Sequence, residues 1–209
     1  MRRSVLVTSL FVGMLVLAAT VATPWAAAKQ ADSNPAVRNA VNFHLLDFVA
    51  WNNRDWTMFR HLHTADVKVE MGDMKTQGID QHVGAMEALL KGTPEVRIIQ
   101  HTPTVAEGEW TCVVGLAPGS PPMATVARWR DGAISEEYLF VKQLPSGTPA
   151  PKLKGAPLVK ISNQGDLRAL SGAEPGWSCV YGRGESGKSV VTFTKTEKGK
   201  TTQTIVFAG

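Results

Sequence analysis

The sequence predicts an α+β fold: a cone-like, strongly curved antiparallel sheet covered on one face by about three helices, with a β-rich C-terminal extension. Two observations lead to this prediction. Apolar residues recur at helical spacing in most of residues 36–91, and alternating segments joined by short turns fill residues 96–145. Helices that precede a run of antiparallel strands are typical of α+β domains, in which the helices cover one face of the sheet.

Three helices are predicted from apolar periodicity and capping residues. The first covers about residues 36–52, the second residues 56–63 after the cap Asp55, and the third residues 81–91 after the cap Asp80. Their inward stripes are Val41, Leu45, Phe48 and Asn52, then Trp56, Phe59 and His63, then Val83, Met86 and Leu90. His82, in the first turn of the third helix, is expected to be exposed.

Five strands make up the predicted sheet. Residues 67–71 alternate between apolar and polar, with Val67, Val69 and Met71 facing inward, and residues 72–78 form a loop. Residues 96–104 and 109–115 form the next two strands, and a hairpin within residues 123–145 supplies the last two strands.

The hairpin turns at Asp131-Gly132, which separates two stretches with period-2 alternation. A two-residue turn pairs Trp129 with Ile134 and extends that register to both ends of the hairpin. One face then carries Met123, Thr125, Ala127, Trp129, Ile134, Tyr138 and Phe140, and the other, wetter face carries Arg128, Arg130, Ser135 and Glu137. Strict alternation also places Glu136 on the apolar face, where a carboxylate needs a partner or a function.

The composition changes after residue 145. Residues 146–157 are rich in Pro, Gly and Ser and predict a linker between a cone domain, residues 38–145, and an extension, residues 158–209. In the extension, residues 158–161 and 177–181 predict short strands, and residues 189–194 and 202–207 predict a hairpin that turns near Lys198-Gly199. These strands form either a small subdomain or additional strands laid against the first sheet.

The N-terminus has the features of an export signal. Arg2 and Arg3 precede an apolar run over residues 5–22, and Ala26 and Ala28 fit a cleavage site before Lys29. We therefore expect a signal peptide over residues 1–28, a disordered leader over residues 29–37, and a periplasmic or extracellular protein. The run has 18 residues, so an uncleaved membrane anchor is the alternative.

Charge and cysteine content narrow the classes of function. Without the two arginines of the signal, the chain has 20 basic and 18 acidic side chains, and it lacks a dense basic cluster with interleaved aromatic residues. We therefore expect no nucleic-acid partner. Cys112 and Cys179 are the only cysteines, and in an exported protein they are expected to pair, with two separate buried thiols as the alternative.

Several short segments between residues 38 and 145 resemble a known family. They are Asn53 to Trp56, Ala65 to Val67, Gly78, Val105 to Glu109, and Arg128 to Tyr138. The last segment is similar to the pattern Arg-Phe-Arg-Asp-Gly-Lys-Ile-x-Glu-x-Trp of the nuclear transport factor 2-like superfamily, in its SnoaL-like, polyketide cyclase-like branch. The resemblance implies a cone-shaped fold with a ligand pocket between sheet and helices, and a homodimer as the assembly.

The acid/base residues of that family are not retained here. The resemblance implies an aspartate at the position of Lys142, and the aldol-condensation relatives have Glu-His-Trp-Asp where this chain has Glu136-Glu137-Tyr138-Leu139. The fold hosts isomerases, dehydratases, cyclases, hydrolases and binding modules, so it does not specify an activity.

Two hypotheses follow for the function. A binding or interaction module, slightly favoured, would hold a small apolar or carbonyl-containing molecule against Trp129, Phe140 and Trp110, or would pair its open sheet face with a second copy. The alternative is a lyase, isomerase or cyclase in which Glu136 acts as acid or base and Tyr138 donates a hydrogen bond to an oxyanion. The structural alternative for Glu136 is a partner such as Arg128 or Lys142.

The histidines are less informative. His63 is either a base in the pocket or a satisfied histidine at an interface. His61 and His63 diverge on a helix, and nothing in the sequence pairs His101 with a second ligand. No metal site and no cofactor are therefore predicted.

Overall fold

The computed structural model describes residues 34–163, 167 and 172–209. Its helices are α1 (Pro35–His44), a π-helical segment (Leu45–Trp51), α2 (Trp56–His61) and α3 (Ile79–Gly92). Its strands are β1 (His63–Met71), β2 (Met74–Gln77), β3 (Gln100–Glu107), β4 (Trp110–Leu116), β5 (Met123–Arg130), β6 (Ala133–Phe140), β7 (Val159–Ser162), β8 (Trp177–Arg183), β9 (Ser189–Glu197) and β10 (Lys200–Ala208). The predicted fold class is confirmed: helices and one sheet, with a β-rich C-terminal extension.

The first sheet has six strands in the order β2-β1-β6-β5-β4-β3. All neighbours are antiparallel except β1 and β6, which are parallel, so the sheet is mixed rather than purely antiparallel. The edge strand β2 lies in the segment predicted as a loop. His63, predicted to end the second helix, is instead the first residue of β1.

The helices pack on one face of this sheet and form its first core. This core contains Phe43, Leu46, Trp51, Phe59, Leu62, Val67, Val69, Val83, Met86, Leu90, Ile98, Val113, Trp129, Ile134 and Leu139. Residues of the third helix fall on the predicted stripe, because Val83, Met86 and Leu90 are all buried.

The opposite face of the sheet is covered by the C-terminal extension. Its four strands form a second sheet in the order β10-β9-β8-β7, and the two sheets share a core that includes Val126, Phe140, Tyr181 and Phe193. The sheet face that one hypothesis offered to a second copy is therefore occupied by the chain's own residues, and a homodimer stays a prediction.

A disulfide joins the two sheets within this second core. Cys112 of β4 is bonded to Cys179 of β8, and both residues are fully buried. The predicted pairing of the cysteines is confirmed.

The predicted hairpin forms between β5 and β6, but its register changes beyond the first pair. Asp131 and Gly132 both have positive φ, 54° and 83°, as a two-residue turn of the primed type requires. Trp129 pairs with Ile134 as predicted, whereas Arg128 pairs with Glu136, which leaves Ser135 as an extra residue in β6. This β-bulge reverses the two faces of β6 from Glu136 onward.

The first helix also departs from regular periodicity. Its second half is π-helical, and Leu46, Ala50 and Trp51 are buried there, whereas the predicted Leu45 is 36% exposed. Hydrogen bonds from i to i+5 widen the turn, so the inward face shifts away from the stripe expected for an α-helix.

The predicted signal segment, residues 1–28, lies outside the described residues, as does most of the predicted leader. Among the described helices, none combines the length and the apolar composition needed to cross a membrane.

Candidate functional site

A pocket of about 220 Å³ lies between the helices and the concave face of the first sheet. Its wall is mainly apolar and is made by Leu46, Trp51, Phe59, Met71, Met86, Leu89, Val96, Ile98, Ala117, Pro121, Met123, Leu139 and Val141. Its polar side chains are Asp47, His82, Thr93, Ser120, Thr125 and Glu137, and none of the described lining residues is a lysine or arginine. Leu89 and Val141 are 43% and 58% exposed, and they place apolar surface where the pocket meets solvent.

Glu137 is the buried carboxylate of this pocket, and it comes from β6 just beyond the bulge. Its side chain is only 6% exposed. Burial raises the pKa of the carboxyl group, but its interaction with His63 and His82 outweighs burial and lowers the pKa to about 2. Glu137 is therefore an ionised group inside an apolar pocket.

Two histidines face this carboxylate from different elements. The Nε2 atom of His82, on α3, lies 3.3 Å from Oε2 of Glu137, and the Nε2 atom of His63, at the start of β1, lies 3.9 Å from the same oxygen. The other ring nitrogen of His63 lies 2.8 Å from the carbonyl oxygen of Phe59. Both rings also pack against the Phe59 ring, so the cluster has an apolar shell.

A second carboxylate–histidine pair lies on the helical wall. Asp47, in the π-helical segment, accepts a hydrogen bond on Oδ2 from Nε2 of His101 at 2.8 Å. His101 is fully buried and stacks on Phe48, while the Asp47 side chain is 14% exposed and lines the pocket. The neighbouring His44 has a pKa lowered to about 4, because burial and the adjacent His101 both disfavour its charged form.

The predicted acid Glu136 faces the other side of the sheet. The bulge turns it away from the pocket, where Arg128 donates a hydrogen bond to it at 3.1 Å and the Tyr138 hydroxyl donates another at 2.9 Å. Its partner is thus Arg128, as in the structural alternative, and not Lys142, which is exposed.

The same reversal of faces moves the other predicted residues of β6. Tyr138 and Phe140 contact Tyr181 of the second sheet, with ring centroids 4.7 and 5.9 Å apart respectively. Burial and the neighbouring Glu136 raise the pKa of Tyr138. Neither ring lines the pocket.

The two predicted tryptophans have structural positions. Trp110 packs against the second core and lies beneath the guanidinium group of Arg128. Trp129 is buried in the first core, where its indole N–H donates to the Thr111 hydroxyl at 2.9 Å, and it does not line the pocket. Of the residues predicted to take part in catalysis or ligand binding, His63 alone joins the cluster around Glu137.

Sequence reasoning missed Asp47, His82 and Glu137. His82 was expected to be exposed and is 1% exposed, and Glu137 was expected on the wetter face beside Arg128. Two signals were readable: Asp47 is a single acid within the apolar run Leu45 to Trp51, and His82 lies four residues before the inward Met86. The position of Glu137 depends on the bulge, which has no local sequence signal.

Comparison with known proteins gives the following results. No protein-family model matches the chain, and no curated protein matches it significantly. Similar solved structures include a SnoaL-like protein of unknown function from Burkholderia thailandensis (13% identity, 48% of this chain and 92% of that one, TM-score 0.44). A second is an NTF2-like protein of unknown function from Burkholderia pseudomallei (17% identity, 50% of this chain and 91% of that one, TM-score 0.44). A third is IdmH from Streptomyces antibioticus, described as a candidate polyketide cyclase (18% identity, 48% of this chain and 89% of that one, TM-score 0.42).

At this identity the likeness concerns the fold, and it extends over about half of the chain.

Proposed function

We propose that the pocket binds a small, mainly apolar carbonyl compound and transfers a proton at the carbon next to its carbonyl group, as an isomerase or lyase does. The observation that carries this proposal is that two carboxylate–histidine pairs, Asp47 with His101 and Glu137 with His82, reach one mainly apolar pocket. Carboxylates that are largely shielded from solvent need a specific reason to be in such a place, and acid/base chemistry is one.

Asp47 is the group proposed to move the proton. One of its oxygens is held by His101, which orients the carboxylate, and the side chain reaches the pocket. In the proposed step the C–H bond breaks, Asp47 takes the proton, and the electron pair moves to the carbonyl oxygen to give an enolate. Returning the proton to the same or another carbon completes an exchange or an isomerisation.

A different polar group of the same pocket supplies the contact for the substrate's oxygen. Among the described residues that line the pocket, His82 is the only histidine, and Glu137 orients it. An oxygen held there develops negative charge in a water-poor site, where fixed polar groups act strongly.

Size and charge restrict the substrate. A volume of about 220 Å³ is below the roughly 300–1,000 Å³ of sites for drug-sized ligands, so the substrate is small. Within the part of the chain that the structure describes, the lining includes two carboxylates and no lysine or arginine, which disfavours anionic molecules. Neutral ketones with a compact apolar body fit best.

Export is part of the proposal. The signal-like segment over residues 1–28 and the disulfide support a location outside the cytoplasm, because structural disulfides persist in oxidising compartments. Fractionation of the producing cells, with the mass of the purified chain, tests this: a cytoplasmic chain that keeps residues 1–28 would contradict it.

The test of the chemistry uses a panel of cyclic and short-chain ketones in D2O. The wild-type protein is expected to accelerate loss of the α-proton NMR signal of at least one ketone, and Asp47→Asn is expected to slow that exchange by about 100-fold or more. Asparagine keeps the shape and can still accept the hydrogen bond from His101. Circular dichroism of each variant checks the fold.

The matched control is Glu136→Gln, which changes the neighbouring carboxylate on the opposite face of the same strand. It is expected to leave the exchange rate within about twofold of wild type. Ketone binding followed by tryptophan fluorescence, without any exchange above the buffer rate, would overturn the proposal in favour of a binding module. Equal damage from the two variants would also contradict it.

A further inference from the structure

We infer that His63, His82 and Glu137 form a binding site for a divalent metal ion, with Zn²⁺ the best match. Both histidines and the carboxylate are buried, and one ligand atom from each lies within 4.8 Å of the others. Two imidazoles and one carboxylate make a common set of zinc ligands. This inference deepens and rests on the proposed function, because His82 and Glu137 line the same pocket, but metal binding is measured independently of any reaction.

The distances fit a shared cation better than direct hydrogen bonds. Charge-assisted N–H···O contacts are typically about 2.7–2.9 Å long. The two nitrogen–oxygen distances here are 3.3 and 3.9 Å. Bonds of about 2.0–2.1 Å to a tetrahedral zinc place neighbouring ligand atoms about 3.3 Å apart, so His82 and Glu137 already have that spacing.

Two atoms that face each other in this cluster also lack hydrogen-bond partners. Among the described residues, Nε2 of His63 and Oε2 of Glu137 have no hydrogen-bond partner, although both are inaccessible to solvent. An unpaired buried acceptor costs free energy. A cation between the two atoms would satisfy both of them at once.

The tautomer of His63 suits a metal ligand. Its Nδ1 lies 2.8 Å from the carbonyl oxygen of Phe59, which can only accept, so Nδ1 carries the proton. In the neutral ring Nε2 therefore has a lone pair, and it is the atom nearest to Glu137. Metal-binding histidines commonly donate their second nitrogen to a backbone carbonyl in this way, because the bond fixes the ring.

An open coordination position would face the pocket. His82 and Glu137 both line the cavity, whereas His63 lies behind them. Three protein ligands with one free position are the pattern of catalytic rather than structural zinc sites. An ion there would bind the carbonyl oxygen of a ketone and stabilise the enolate charge.

The sequence predicted no metal site, because histidines close together in sequence, such as His61 and His63, diverge on a helix. The fold instead brings together residues from β1, α3 and β6, which are separated by 19 and 55 positions along the chain.

The test measures the binding of metal ions to the protein, without any ketone present. Protein treated with EDTA and dialysed is titrated with ZnCl2 by calorimetry and with CoCl2 by visible absorption, since low-symmetry Co²⁺ bound to protein nitrogen and oxygen has strong d–d bands. We expect one equivalent of each ion and a saturable cobalt spectrum. Glu137→Gln and His82→Gln are each expected to weaken zinc binding by 100-fold or more, and Glu136→Gln and His61→Gln to leave it unchanged.

A thermal melt separates loss of binding from loss of fold. Zinc should raise the melting temperature of the wild-type protein and of Glu136→Gln, but not that of Glu137→Gln, even if the latter is less stable without metal. No saturable binding by the folded wild-type protein, or equal binding by the two glutamate variants, would overturn the metal site. Ketone exchange that persists in EDTA with zinc binding absent would leave the proton-transfer proposal standing and refute the metal alone.

Discussion

Removing the disulfide between the two sheets should have a large and calculable effect on stability. The bond joins Cys112 and Cys179, which are 67 residues apart in sequence and fully buried between the sheets. The perturbation is replacement by alanine, singly and together. Because both sulfurs are buried, mutation is a cleaner test than a reducing agent, which reaches them only after unfolding.

The magnitude follows from the length of the closed loop. In the chain-entropy description, a cross-link over 67 residues removes roughly 15 cal/mol/K from the unfolded chain, or about 4 kcal/mol at 25 °C. Folded domains have a total free energy of unfolding of only about 5–15 kcal/mol, so the loss would be a large share.

Urea unfolding followed by tryptophan fluorescence measures this loss. Each single variant should lose about as much as the double variant, because either substitution abolishes the one cross-link. Losses from the two single variants that add up to the loss of the double would refute the reasoning, as would a loss below about 1 kcal/mol. The latter result would mean that apolar packing alone holds the extension on the sheet.

Three further predictions concern stability. The pKa of His44 is lowered to about 4 in the folded protein from its ordinary 6.5, so the unfolded chain takes up the proton first and the protein loses stability as the pH falls from 6.5 to 4. After allowance for partial exposure, this loss is about 1–2 kcal/mol. It should be absent in His44→Ala when the urea midpoints of the two proteins are compared across pH. Gly176→Ala should lose at least twice as much stability in urea as Gly187→Ala. Both glycines have φ near +80°, but only at Gly176 would the new Cβ lie 2.6 Å from a carbonyl oxygen of β9. Equal losses would contradict this prediction. Trp129→Phe should cost about 1–2 kcal/mol in the same assay through the unpaired Thr111 hydroxyl, and the cost should shrink in a Thr111→Val background.

The parts of the fold that depend on local patterns were predictable from sequence. Asp131-Gly132 gives a turn whose two positive φ values need no information from elsewhere in the chain. The inward stripe of α3 likewise follows from its 3.6-residue period, and the cysteine pairing follows from their number and the export signal. The face of a strand is different, because a single extra residue reverses it.

The candidate site depends on the features that local patterns do not show. Ser135 leaves the ladder and moves Glu137, rather than Glu136, to the concave face. The π-helical segment places Asp47 at the pocket, and the approach of α3 to β1 buries His82 beside His63. Each of these depends on contacts between elements distant in sequence, which fix the register only when the whole sheet and its helices are assembled.

The bulge at Ser135 makes β6 the boundary between two different chemical environments. Deleting that one residue would restore strict alternation, and it would turn Glu136 and Tyr138 toward the cavity while moving Glu137 against the second sheet. Because Glu136 and Glu137 are neighbours, inserting or deleting one residue before them exchanges which glutamate faces the cavity and which faces the second sheet. A strand built this way can change the chemistry of its pocket without a single substitution.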